Sequence, residues 1–167
     1  MRPIFAGLSL ALAIGGAFAA DGAKPGFDFA TGGSAAAVGE TTERSLRNEL
    51  AFCGGETKAI AKATPRLMKA WVKRNRPWLS ASLAVRAEMR ARLVGNDAAN
   101  NGPIFDRDFE QAMAGVARRG ADQLRSMSDR AQRLAACQKI MNDAKDGRRD
   151  VPAVNEKATE MLRRYMR

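Results

Sequence analysis

Helical apolar periodicity first appears after Thr42 and Glu43, where Leu46, Leu50 and Cys53 recur at steps of four and three before Gly54-Gly55 breaks the pattern. A second pattern runs from Glu56 to Arg76, with Ile60, Leu67 and Trp71 on one side. Thr64-Pro65 interrupts it, as a kink or as the cap and first residue of a new helix, and the pattern leaves both open. Asn75-Arg76-Pro77 reads as a turn. From Trp78 or Ser80 a third helix extends to about Val94, with Leu79, Leu83, Ala87 and Val94 broadly on its apolar side. Gly95 to Pro103 reads as a loop. Apart from one gap, apolar residues then recur at steps of three and four from Phe105 to Met141, as one helix that runs unbroken or bends near Gly120. Gly147 ends it. Asp150 and Pro152 open a last helix whose expected buried face is Val154, Ala158, Met161, Leu162 and Tyr165.

No segment alternates with the period of two that marks a half-buried strand, and Ala and Arg far outnumber Val, Ile and Tyr. The expected fold is all-α, a small bundle of about four to five helices over residues 41–167. Residues 21–40 are rich in Gly, Ala and Ser without periodicity, and read as a flexible leader. Residues 1–20 read as a secretory signal peptide. Arg2 provides the positive start, Ile4 to Phe18 the apolar stretch, and Ala17-Phe18-Ala19 the cleavage motif. The stretch is short for a membrane anchor, and Gly15-Gly16 weakens it as a helix. Export to the periplasm, or secretion, after cleavage near Ala19 is the expected destination.

That destination changes the meaning of the two cysteines. In an oxidising compartment Cys53 and Cys137, which are 84 residues apart, are expected to form one disulfide. They form no C-x-x-C pair, and their apolar surroundings disfavour the thiolate that redox chemistry needs. The 167-residue chain has no histidine, which removes imidazole catalysis and His-ligated metal sites. Two cysteines also cannot supply four thiolates to a metal. There is no G-x-S-x-G or phosphate-binding loop, and no serine has a plausible base. The expectation is a protein that is not an enzyme and carries no cofactor or metal.

Charge is the strongest remaining signal. The formal net charge is +10, from 28 Lys and Arg against 18 Asp and Glu. Glu56 to Val94 holds ten basic residues and two acidic ones. Lys58, Lys62, Arg66, Lys69, Lys73 and Arg76 follow at steps of four, four, three, four and three. On a helix all six fall within an arc of about 80°, opposite Ile60, Leu67 and Trp71. Arg86 and Arg90 extend this candidate anion-binding set, although both lie close to the apolar line and are expected to find acidic partners there.

Three further features read as structural. Asp97 to Asp108 has faint EF-hand spacing, but Ala99 and Phe105 occupy ligand positions, so it reads as a polar loop. The methionines are scattered at core-like positions rather than grouped as copper ligands. Trp71 is expected in the core and Trp78 in a partly exposed position. The reading is an exported binding or adaptor protein of the cell envelope, docking an anionic envelope component or acidic protein, with peripheral membrane contact allowed. Nucleic acid is disfavoured by compartment. The alternative is a bundle that carries a small apolar or acidic lipid-like ligand, held by Arg86 or Arg90.

Overall fold

A computed structural model describes residues 27–166, and the signal-peptide reading of residues 1–20 lies outside them. The described residues form six helices and no strand: α1 (Phe29–Glu56), α2 (Lys58–Val94), α3 (Ala98–Ser126), α4 (Arg130–Lys145), α5 (Val151–Val154) and α6 (Glu156–Arg163). The all-α class holds, but the segmentation differs from the sequence reading in physically informative ways.

The first difference is α1. Most of the stretch read as a flexible leader is its first three turns. Asp28 caps the helix, accepting from Ala30 N at 3.0 Å. Gly32, Gly33, Ala35, Ala36, Ala37, Val38, Gly39, Thr41 and Thr42 are all buried. A helix buried on every side shows no amphipathic period, which is why the stretch resembled a linker. Its small side chains let neighbours approach closely. The Ser82 hydroxyl of α2 lies 2.7 Å and 2.9 Å from the carbonyl oxygens of Ala35 and Ala36, and accepts from Gly39 N at 3.3 Å. A Cβ at position 39 would come within 2.8 Å of the Ser82 Cβ. Further along, α1 buries Leu46, Leu50 and Cys53, and it packs against every other helix.

The second difference is α2, a single 37-residue helix where a turn at residues 75–77 and a separate third helix were expected. It is about 55 Å long. Thr57 alone separates it from α1, with its side chain accepting from Ile60 N at 3.2 Å. Pro65 and Pro77 both lie inside it and both are exposed. Each removes one backbone donor, at a cost of about 3 kcal/mol in a helix interior. Burial of Ile60, Leu67, Met68, Trp71, Ala81, Val85 and Met89 on both sides of the prolines offsets that cost.

The later helices also divide differently. The pattern after Phe105 begins earlier, at Ala98, and breaks at Met127–Asp129 rather than near Gly120. Asp97 and Asp129 supply the two N-caps. The last expected helix is split by Asn155 into α5 and α6. Asp150 precedes α5 without capping it through its side chain, because its carboxylate holds Arg74 and Asn75 instead. Ala158, Met161 and Leu162 are buried as expected, but Val154 is 51% exposed.

The Sγ atoms of Cys53 and Cys137 lie at the bonding distance of 1.99 Å, so the expected pair joins the end of α1 to α4. One continuous core contains both, with Trp71, Phe109, Met113 and Leu162 among its larger members. Its polar stitching is extensive. Trp71 Nε1 donates to the Arg149 carbonyl at 3.0 Å, and the buried Asn75 accepts from Val151 N at 2.9 Å while donating to Asp150 at 2.9 Å. Arg44 of α1 bonds Glu110 of α3, and Arg90 of α2 forms a forked pair with Asp106 of α3.

Two outcomes follow from this packing. Gly39→Leu should lower the stability in urea by about 1–3 kcal/mol by driving α1 and α2 apart, whereas Gly115→Ala, at an exposed site with nothing near the new Cβ, should raise it by up to about 1 kcal/mol. The second outcome concerns acid. The Arg90 guanidinium holds the Asp106 carboxyl below its usual range, and Arg44 does the same to Glu110. Depressed carboxylates stabilise the fold above their ordinary pKa, near 4, and the contribution disappears as pH falls through the lowered folded values. Urea midpoints should therefore drop below about pH 4, and Asp106→Asn/Glu110→Gln should flatten that drop.

Candidate functional site

The continuity of α2 decides the geometry of the basic stripe. Because the helix passes through Pro65 without restarting, Lys58, Lys62, Arg66, Lys69, Lys73 and Arg76 form one row, about 27 Å long. All six are exposed. None forms an ion pair or a side-chain hydrogen bond with any described residue. Pro65 and Pro77 lie at the two edges of the row's arc and are exposed, and each leaves the carbonyl four residues before it, Ala61 or Lys73, without its usual helical donor.

Elsewhere the chain pairs its charges readily. Glu40–Arg44, Glu43–Arg47, Glu88–Arg92 and Lys139–Asp143 are pairs four residues apart on single helices. Arg74, about 120° around α2 from the middle of the row, pairs with Asp150 at 2.6 Å and donates to the Ala144 carbonyl at 2.6 Å. Arg133 meets Glu56 at 2.8 Å, and Arg149 meets the buried Glu49. The stripe instead places five successive like-charge neighbours along a helix. Each such neighbour costs about 0.2–0.5 kcal/mol, roughly what an opposite-charge pair would contribute. A face needed only for solubility would gain from interleaved carboxylates.

Arg86 and Arg90 do not belong to this free set. Arg86 bonds Glu40 at 3.2 Å and lies over the Phe109 ring at 4.5 Å from its centre, while Arg90 grips Asp106. Both found the internal acidic partners their position near the apolar line implied, so neither is available as an external anion anchor. Arg92, next along α2, is paired with Glu88.

One part of the face was missed in the sequence. Leu83 and Ala87 were placed on an apolar, core-facing line, but Leu83 is 56% exposed and Ala87 is exposed as well. Once α2 is a single helix, Ser80, Ala87 and Ala91 fall within the arc of the stripe, and Leu83 lies about 20° outside it. The exposed side of α2 is therefore cationic up to Arg76 and uncharged from Pro77 through Ala84. The turn-like Asn75-Arg76-Pro77 hid this continuity.

The remaining candidates resolve as structure. Asp97 accepts from Asn100 N, Asn101 donates to the Val94 carbonyl and Asp108 is held by Arg107, so the faint EF-hand ligands are spent on the helix start and on an ion pair. No group of three or more metal-ligating residues occurs among the described residues. Trp71 is fully buried, and Trp78 is partly exposed against the core. Met68, Met89, Met113, Met141 and Met161 are buried core members. The Tyr165 hydroxyl donates to Glu88 at 2.5 Å, and burial first, then that carboxylate, pushes its pKa up to about 12, which leaves it a neutral structural donor. No helix among the described residues is long and apolar enough to cross a membrane. No known protein family, curated protein or solved structure matches the chain.

The unpaired stripe makes a measurable claim about stability. Lys62→Glu sets a carboxylate four residues from both Lys58 and Arg66, and should raise the urea stability by about 0.5–1.5 kcal/mol. A loss of stability instead would mean that the row contributes to the fold.

Proposed function

We propose that this protein is an exported, non-enzymatic docking or adaptor protein of the cell envelope, which holds an anionic surface or acidic partner against the α2 stripe. The observation that carries this reading is six exposed cations in one row on one helix without carboxylates, where most of the other described cations, among them Arg44, Arg86, Arg90 and Arg133, are ion-paired. Export rests on the pattern of residues 1–20, and the absence of catalysis on a sequence without histidine or an activated nucleophile. The carrier reading gains no support from Arg86 and Arg90, which hold Glu40 and Asp106.

The test compares two sets of equal charge change. Lys62→Glu/Arg66→Glu/Lys69→Glu reverses the centre of the stripe. Arg118→Glu/Arg119→Glu/Lys157→Glu reverses three exposed cations on other helices. On immobilised polyglutamate, the native protein should be retained at low salt and released as salt screens the contact. The stripe variant should elute well before the control variant. Equal elution of the two would show that only total charge matters, and would remove the docking face.

A further inference from the structure

The stripe and its uncharged continuation have a shape as well as a charge, and that shape narrows the occupant. Building on the docking reading above, we propose that the occupant is a single acidic amphipathic helix of a partner protein, lying along α2. Its carboxylates would face the stripe, and an aliphatic turn would pack over Leu83.

Three features favour a helix over a lipid surface. First, the row is narrow. Its cations keep to an arc of about 80° and recur every three to four residues, the spacing at which a second helix presents its own side chains. A flat anionic surface asks only for a broad patch. Second, the exposed residues around the row are small. Ala59, Ala61 and Ala70 lie beside the cations, and Ser80, Ala84 and Ala87 surround Leu83. Small residues let two helix axes approach to about 8–10 Å. Third, the row carries no bulky apolar anchor of the kind that seats a peripheral protein in lipid. Trp71 is buried on the far side of α2, and Leu83, the large apolar side chain of this helix that is more than a third exposed, lies beyond the end of the stripe. The charges are complementary too: six unpaired cations over about five turns call for an acidic row of similar length.

The test uses the purified protein with the Cys53–Cys137 bond intact, and synthetic peptides of about 28 residues as probes. One pair of peptides carries Glu at the positions facing the stripe and Leu and Ala at those facing Leu83, one peptide for each chain direction. A third has the same composition in scrambled order. Vesicles of phosphatidylglycerol form a separate arm. Affinities are read by fluorescence anisotropy and by vesicle sedimentation.

One patterned peptide should bind about tenfold or more tightly than the scrambled one, and Leu83→Asp should erase most of that advantage. Leu83→Ala, at the same exposed position, should weaken it less, and circular dichroism of both variants should match the native protein. If patterned and scrambled peptides bind alike and Leu83→Asp is silent, the helix inference is overturned while the anionic docking face stands. Tight vesicle binding insensitive to Leu83 would overturn it in favour of a lipid surface. If Lys62→Glu/Arg66→Glu/Lys69→Glu alters no affinity at all, the docking reading itself falls.

Discussion

The contact between Gly39 of α1 and Ser82 of α2 sets how closely the two longest-packed segments of the chain can lie. The serine hydroxyl sits among the backbone groups of Ala35, Ala36 and Gly39, where a larger residue on α1 would hold α2 away. Around this contact α1 becomes the central helix, buried by its neighbours through alanine and glycine rather than through large side chains. Because α2 meets α1 so closely, its inward side is fully used by Trp71, Asn75, Ser82 and Val85. The Arg86–Glu40 and Arg90–Asp106 pairs then secure its second half to α1 and α3. The outward side is left as one continuous line, and the stripe inherits its register from the packing beneath it.

The two kinds of cation divide according to their chemistry. The pairs that cross between separate segments use arginine: Arg44, Arg74, Arg86, Arg90, Arg133 and Arg149. A planar guanidinium offers several donors in a fixed fork and suits a partner whose place is settled by the fold. The stripe is mostly lysine, with Lys58, Lys62, Lys69 and Lys73 beside only two arginines. Ammonium groups are strongly hydrated point charges on flexible stems, with three rotatable donors that are not fixed in one geometry.

The helical class, the disulfide pair, the buried Trp71 and the six-residue basic row were all legible in the sequence, because each follows from local composition or from a three-to-four spacing. The helix boundaries were less so, for reasons that differ by site. The leader reading failed over residues 29–40 because burial on all sides erases the period on which pattern reading depends. The turn at Asn75-Arg76-Pro77 failed because the lost backbone donor of Pro77 is outweighed by buried contacts on both sides, a tertiary effect invisible locally. The break at Met127–Asp129 was hidden because Met127, Ala131 and Leu134 keep a helical spacing across it, although Ser128-Asp129 offered a capping signal. The uncharged half of the α2 face could not be joined to the stripe while the two were assigned to separate helices.

The bond between Cys53 and Cys137 closes a ring of chain that contains α2, α3 and both of their connections. A protease that cuts once inside that ring, for example at the exposed Gly95–Asp97 corner between α2 and α3, would release nothing. Both fragments would remain covalently attached, one carrying α1 and α2 and the other α3 to α6, and each would still find its partner surfaces within reach. The covalent ring makes a single nick a tolerable injury rather than the loss of the outward face of α2.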